Sequence, residues 1–188
     1  KREYIRQGIP TTRLNSQKAW SIMVRFDEIE GYDIDTLRRA QQDALLPPAP
    51  NLTKEDLVAR LKDVAIWKEL GAEELQRECD LRNVKVFHHS ATAGTPKPSA
   101  RELLLDALLL HRGARTYDDV GVPYRTIKTA KGAVNTMIAW DDIIGMDPSS
   151  LKVRYTGLGL SANRLELEEI RHRLKMVAVY LEIPAEDL

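Results

Sequence analysis

Cysteine is almost absent from this chain: Cys79 is the only one in 188 residues. A single thiol cannot close an internal disulfide, so an intracellular, reducing compartment is expected and secretion is not. Neither sign of charge is in excess, with 28 Lys plus Arg against 28 Asp plus Glu. No global field therefore draws in nucleic acid, an acidic membrane surface or an anionic substrate, and any such binding must come from a local patch. Long apolar runs are missing as well. A membrane-spanning helix needs roughly 18 or more apolar residues, and the most apolar stretch, Leu103 to Leu110, is interrupted by Asp106. There is no initiator methionine and no signal-peptide pattern at Lys1 to Pro10. The chain is accordingly read as a processed form or a fragment, and an organelle interior stays open to it if the N-terminus was processed.

What is present is the composition of an ordinary folded protein, 43% hydrophobic and 30% charged. The length suits one domain with a real core or two small helical subdomains sharing an interface. The hydrophobic periods predict a mainly all-α fold, a small helical bundle with an extended N-terminal arm. Three regions are expected: an arm with short helices over 1–50, a helical region over 51–112, and a C-terminal helical region over 113–188 packed on it. The segment KREYIRQGIPTTRLN carries Gly8 and Pro10 and no clear period, which reads as the arm. Asn15 or Ser16 can cap a helix over about 17–30 with Trp20, Met23, Val24 and Ile29 on one face, a strand over 19–26 being the competing reading. Asp33 or Asp35 can cap a short helix carrying Leu37, Ala40, Ala44 and Leu45. Pro47, Pro48 and Pro50 end it, and PPAP is a short stiff spacer at the best candidate boundary.

Thr53 precedes a helix with Glu55 and Asp56 in its first turn, where the helix dipole favours negative charge, and with Leu57, Leu61, Val64 and Ala65 as its buried stripe. Gly71 stops it. A further helix begins at Ala72, with Leu75 and Cys79 four residues apart on one face. Ser99 and Glu102 match a capping box, in which each end residue satisfies an otherwise unpaired amide. The following Leu103, Leu104, Ala107, Leu108 and Leu110 predict a largely buried helix. Residues 116–125 read as a turn-rich connection, and 127–144 as a helix with Ala130, Val134, Met137 and Ile138. After a break at Gly145 to Pro148, Asn163 and Glu166 make a box-like start for a last helix. In it Leu167, Ile170, Leu174, Val177 and Leu181 recur at helical spacing until Pro184. The only short extended candidate is VKVF at 84–87.

Two helical patterns within 71–112 are joined by a polar stretch, HHSATAGTPKP. The features are Leu75 and Cys79 on the first helix, Arg77 and Arg82 in the RECDLRN run, Val84 leading out, Gly94 and Lys97 before the second helix, and the ELLLDAL core. Residues 71–110 thereby resemble the SAP motif family, helix, extended loop, helix modules found in nucleic-acid-binding and chromatin-associated proteins. The resemblance implies that the second helix packs on the first through these apolar positions. It also implies that basic residues near the second helix's start, Lys97 and Arg101, meet nucleic-acid backbone. The chain departs from the family at Asn83, where glycine is usual, and in a connection lengthened at His88 to Thr95. Asparagine tolerates left-handed backbone better than most residues.

Between Ala72 and Arg112 acids and bases balance, whereas phosphate binding needs several cations acting together. A local basic surplus follows, Arg112, Arg115, Arg125, Lys128 and Lys131, with Tyr124 placed to stack on a base. The plainer reading of these residues is a solvated loop and helix face. Cys79, His88 and His89 are the residues that suggest thiol chemistry, but a cysteine sharing an apolar helix face with Leu75 behaves as a small buried hydrophobe. Zinc binding through Cys79, His88, His89 and His111 lacks the usual closely spaced cysteines. The TAKGAVNT segment lacks the glycine-rich loop of a phosphate-binding motif. The pairs Asp118-Asp119 and Asp141-Asp142 do not face one another as acid and base catalysis requires. No catalytic, cofactor or metal site is assigned. The sequence predicts a non-enzymatic adaptor or accessory subunit binding protein partners in a larger assembly. The alternative is a SAP-like DNA- or RNA-binding protein using Lys97, Arg101 and the stretch from Arg112 to Lys131.

Overall fold

The expected helix starts form where a short polar side chain can satisfy the free amides of a first turn. In the computed structural model, which describes residues 2–87 and 97–184, Asn15 caps α2 (Ser16–Gly31) by accepting from the Lys18 amide at 2.8 Å. Asp33 caps α3 (Ile34–Asp43) through the Thr36 amide at 2.7 Å. Full capping boxes open α4 (Lys54–Glu69), between Thr53 and Asp56, and α6 (Ala100–Val120), between Ser99 and Glu102. The remaining helices are α1 (Arg2–Arg6), α5 (Ala72–Leu81), α7 (Tyr124–Ile127), α8 (Ala130–Gly145), α9 (Pro148–Gly157) and α10 (Leu167–Glu182). No strand occurs among the described residues, and VKVF is irregular. No helix among them is long and apolar enough to cross a membrane. The fold is mainly all-α.

Several local expectations are corrected. The arm is not extended throughout: it opens with α1, Ile9 is buried at 2% exposure, and Arg13 is fastened to α5. The Arg13 guanidinium donates to Glu78 Oε1 at 2.5 Å, to the Glu74 carboxylate, and to the Glu74 carbonyl at 3.0 Å. Burial pushes the Glu78 carboxyl up, but the hydrogen bond from Arg13 and the charges of Arg82 and Arg13 outweigh it and hold it below the usual range. On α2 the buried face is Ala19, Ile22, Phe26 and Ile29, so Trp20 and Val24 point outward. The connection expected over 116–125 is helical as far as Val120, because Tyr117 is fully buried and holds the chain in register until Gly121 ends the helix at φ +83°. α9 was not expected. α10 begins at Leu167 without a side-chain cap, and Leu181 lies outside the buried face. The polar connection from His88 to Pro98 lies, over residues 88–96, outside the described residues.

The same unit recurs three times. α3, α5 and α9 are each ten residues long, and each buries its fourth and eighth positions: Leu37 and Gln41, Leu75 and Cys79, Leu151 and Tyr155. Two residues past each helix the backbone turns left-handed, at Leu45 (φ +58°), Asn83 (+52°) and Gly159 (+78°). That residue's amide bonds the carbonyl three before it, at 2.9, 3.1 and 2.9 Å. In the first two units the next amide also reaches back, Leu46 to Gln41 and Val84 to Cys79, both at 2.9 Å, completing a Schellman turn. Leucine in this conformation costs about 1 kcal/mol, offset by delivering Leu46, fully buried, into the core. Each turn leads to a longer helix, α4, α6 or α10, that packs on the first.

Residues from all three expected regions meet in the largest core, among them Leu37, Leu57, Trp67, Leu108, Ile127 and Val179. A smaller cluster joins Ile143 of α8 to Leu151 and Tyr155 of α9 and to Ile170 and Leu174 of α10. α10 also lies along α8, where the Trp140 indole donates to the Lys175 carbonyl at 3.0 Å. The proline spacer is packed onto the body, not free of it. Pro47 is buried against Gly113 of α6, where an added Cβ would sit 2.6 Å from the Tyr117 ring and 2.8 Å from Pro47 Cδ.

Replacing Gly113 by alanine should therefore destabilise the protein although alanine is the better helix former. Overpacking against a rigid proline ring costs about 1–3 kcal/mol, against about 1 kcal/mol gained in propensity. A lowered thermal midpoint in calorimetry is expected, and a raised one would contradict the packing described.

Candidate functional site

The basic residues read from the sequence do not form one edge. Arg101 is committed to structure: its Nε donates to the Leu70 carbonyl at 3.0 Å and its Nη2 to the Lys68 carbonyl, capping the end of α4. Arg125 faces Asp118, with nitrogen to oxygen distances of 3.3 and 3.4 Å, and lies over the Tyr124 ring. Tyr124 itself is only 7% exposed and its ring packs 5.4 Å from that of Tyr117, so the expected base-stacking role is not open to it. Lys128 sits at the left-handed end of α7, at φ +67°. Lys97 and Lys131 are exposed at the approach to α6 and the start of α8. Tyr124 and Arg125 line a small cavity of about 230 Å³, and Arg112 and Arg115 come together in a larger one.

That cavity is an open groove of about 930 Å³. One wall is the spacer from Pro48 to Leu52, and the opposite wall is α6, which presents Arg112, Arg115 and Asp119. α4 contributes Arg60, Asp63 and Trp67, and α8 contributes Met137 and Asp141. The wall positions follow from the fold: Pro47 on Gly113 holds the spacer beside the turn of α6 that carries Arg112 and Arg115. Arg82, just past α5, completes the lining and lies 5.6 Å from the Trp67 ring centroid.

Most of these charges are balanced. Arg82 is ion-paired with Glu78. Arg112 Nε lies 3.1 Å from Asp63 Oδ2, close enough for attraction though not aligned as a hydrogen bond. Burial pushes the Asp63 carboxyl up against the opposing pull of Arg112 and Arg82. Burial, with the charges of Arg82 and Arg112, pushes the neighbouring His111 down.

Arg60 is the exception. It is 8% exposed, and its Nη1 is buried without a hydrogen-bond partner. No carboxylate among the described residues forms an ion pair with it. Burial, and then the charge of Arg112, pull its guanidinium below the usual arginine value against the weaker pull of Asp56. Tyr117, whose hydroxyl Arg60 influences electrostatically, is also buried with that hydroxyl unpaired, and burial pushes its ionisation far up. Arg60, which lines the groove, is therefore short of an acceptor, whereas Tyr117 is not part of the groove lining. A buried guanidinium remains charged, so it favours an anionic partner. Another cavity of about 580 Å³ lies among α2, α3 and α4, but its Arg25 is already engaged with Glu28 and Tyr32.

Sequence reasoning missed Arg60, although a signal was there: an arginine three residues after Leu57 falls inside the buried stripe of α4 rather than outside it. Of the residues in the thiol and zinc readings, Cys79 and His111 are described. Cys79 is fully buried with its Sγ 3.8 Å from the Leu104 carbonyl, and burial, aided by Asp80 and Glu78, pushes the thiol up to about 11. His88 and His89 lie outside the described residues. Among the described residues, no three metal-ligating side chains converge.

Changing Arg60 to methionine removes a buried, unpaired charge while keeping the stem. Such exchanges are commonly neutral or stabilising by about 1–4 kcal/mol, so urea unfolding of the variant should show an equal or higher midpoint. A loss of more than about 2 kcal/mol would mean that Arg60 serves the fold. No protein-family model, curated protein or solved structure matches this chain.

Proposed function

We propose that the chain is a non-enzymatic adaptor or accessory subunit that binds partner proteins through its helical surfaces. One observation carries this reading. In the first of the three recurring units the residue after the left-handed turn, Leu46, is fully buried, whereas its counterpart in the third unit, Leu160, is 41% exposed beside Leu158 at 49% and Val153 at 70%. The third unit thus turns outward the apolar edge that the first unit covers with the chain's own core. Grouped apolar side chains on a surface mark an interaction site more often than solitary ones do. Trp20 and Val24, four residues apart on the outer face of α2, offer a second such edge.

A SAP-like nucleic-acid-binding role is the second reading, favoured by the threefold recurrence of the helix, turn and helix unit. Lys97, Arg115 and Lys131 would carry it, being exposed and without ion pairs among the described residues. Arg101, Arg125 and Tyr124 contribute less because each is already engaged.

The native mass of the endogenous assembly, measured before and after nuclease treatment, separates the two. An unchanged large mass is expected, together with release of the chain when Val153 and Leu160 are both changed to serine without loss of the fold. Collapse of the mass on nuclease treatment would sink the adaptor reading.

A further inference from the structure

We infer that the groove between the proline spacer and α6 is a docking site for an extended acidic and apolar segment of a partner protein, one of whose carboxylates seats on Arg60. The inference deepens the adaptor reading and rests on it for the occupant being protein. Its geometry is independent of the exposed edges of α2 and α9.

The groove has the size of a ligand cavity and walls to match. Pro48, Leu52, Trp67, Val120 and Met137 offer apolar contact to side chains on either side of a seated acid. Arg60, at the groove, is a nine-tenths buried residue without an ion pair among the described residues. Nη1 is sealed off, but Arg60 makes no hydrogen bond among the described residues either, so its remaining guanidinium nitrogens can donate to a carboxylate oxygen where water competes little, which makes a charge-assisted hydrogen bond strong. A cation buried without a partner is unfavourable in the free protein. Its retention is explained if an anion completes the site in the assembly.

The balance of charge decides what kind of anion. Arg82 is neutralised by Glu78 and Arg112 by Asp63, while Asp119 and Asp141 also line the groove. That leaves Arg60 and Arg115 as open cations against two open carboxylates, so the groove is balanced overall and only the buried Arg60 calls for an anion. Such a site takes a single negative group set among apolar contacts. A nucleic-acid backbone presents a run of phosphates and needs several cations acting together. The observations therefore favour a peptide carboxylate.

The test is a titration of the full chain followed by the 15N resonances of its arginine guanidinium groups, with the Arg60 signal assigned by its loss in Arg60→Met. The probes are N-acetyl-Leu-Glu-Leu-amide, its glutamine counterpart, and a single-stranded thymidine hexanucleotide. The glutamate peptide should shift Arg60 saturably, the glutamine peptide should bind about tenfold more weakly, and Arg60→Met should abolish the difference. The inference is overturned by equal binding of the two peptides, by no saturable shift up to about 10 mM, or by the oligonucleotide engaging Arg60 in preference to the peptide. Collapse of the native assembly under nuclease with the glutamate preference intact would remove the adaptor reading and leave the carboxylate site. An unchanged assembly without that preference would do the reverse.

Discussion

The close approach of α6 to the proline spacer at Gly113 is the contact on which the rest of the arrangement depends. Only a residue without a side chain lets Pro47 and the Tyr117 ring share that turn of the helix. Through it the spacer becomes a wall rather than a free link between two helices. Leu46 just before it is sealed into the core, and the next residues run opposite Arg112 and Arg115. Tyr117, fully buried at the same contact, carries α6 through a stretch of weak helix formers as far as Gly121. Core, helix length and groove follow from one missing methyl group.

The repeated unit explains how a chain with few aromatic residues builds this scaffold. Each copy uses a ten-residue helix with two buried positions, a left-handed residue to reverse the chain, and a longer helix to cover it. The three copies solve the turn differently, with leucine, asparagine and glycine. Glycine enters this conformation without steric cost, asparagine at little, and leucine only because its neighbour is driven into the core. The copies also differ in what they leave uncovered. The first two contribute to the main core, whereas the third closes a small core with α8 and exposes Leu158 and Leu160.

Local chemistry was the legible part of the sequence. Asn15, Asp33, Thr53 and Ser99 announce their helices because a capping bond joins residues three apart and needs no tertiary partner. The left-handed turn at Asn83 belongs to the same class. What depended on distant contacts was not legible. The outward placement of Trp20 reflects which face α4 meets, not the composition of α2. α9 has only Leu151 and Tyr155 buried, too few to signal a helix until α8 and α10 enclose it. The basic stretch after Arg112 looked like one surface because sequence places its members together, but helix ends and aromatic packing divide them. Arg60 was hidden for the opposite reason: a charged residue is ordinarily assigned to solvent, and only the packed structure shows it inside.

Hydrogen exchange at the spacer tests this account most directly, since the spacer is groove wall and packed joint at once. Exchange at Ala49, Asn51 and Leu52 would be compared between the free chain and the chain in its nuclease-treated native assembly. The account predicts slower exchange in the assembly at these amides and along the facing turns of α6. Unchanged exchange there, with slowing confined to the segment from Lys97 to Arg101, would contradict it.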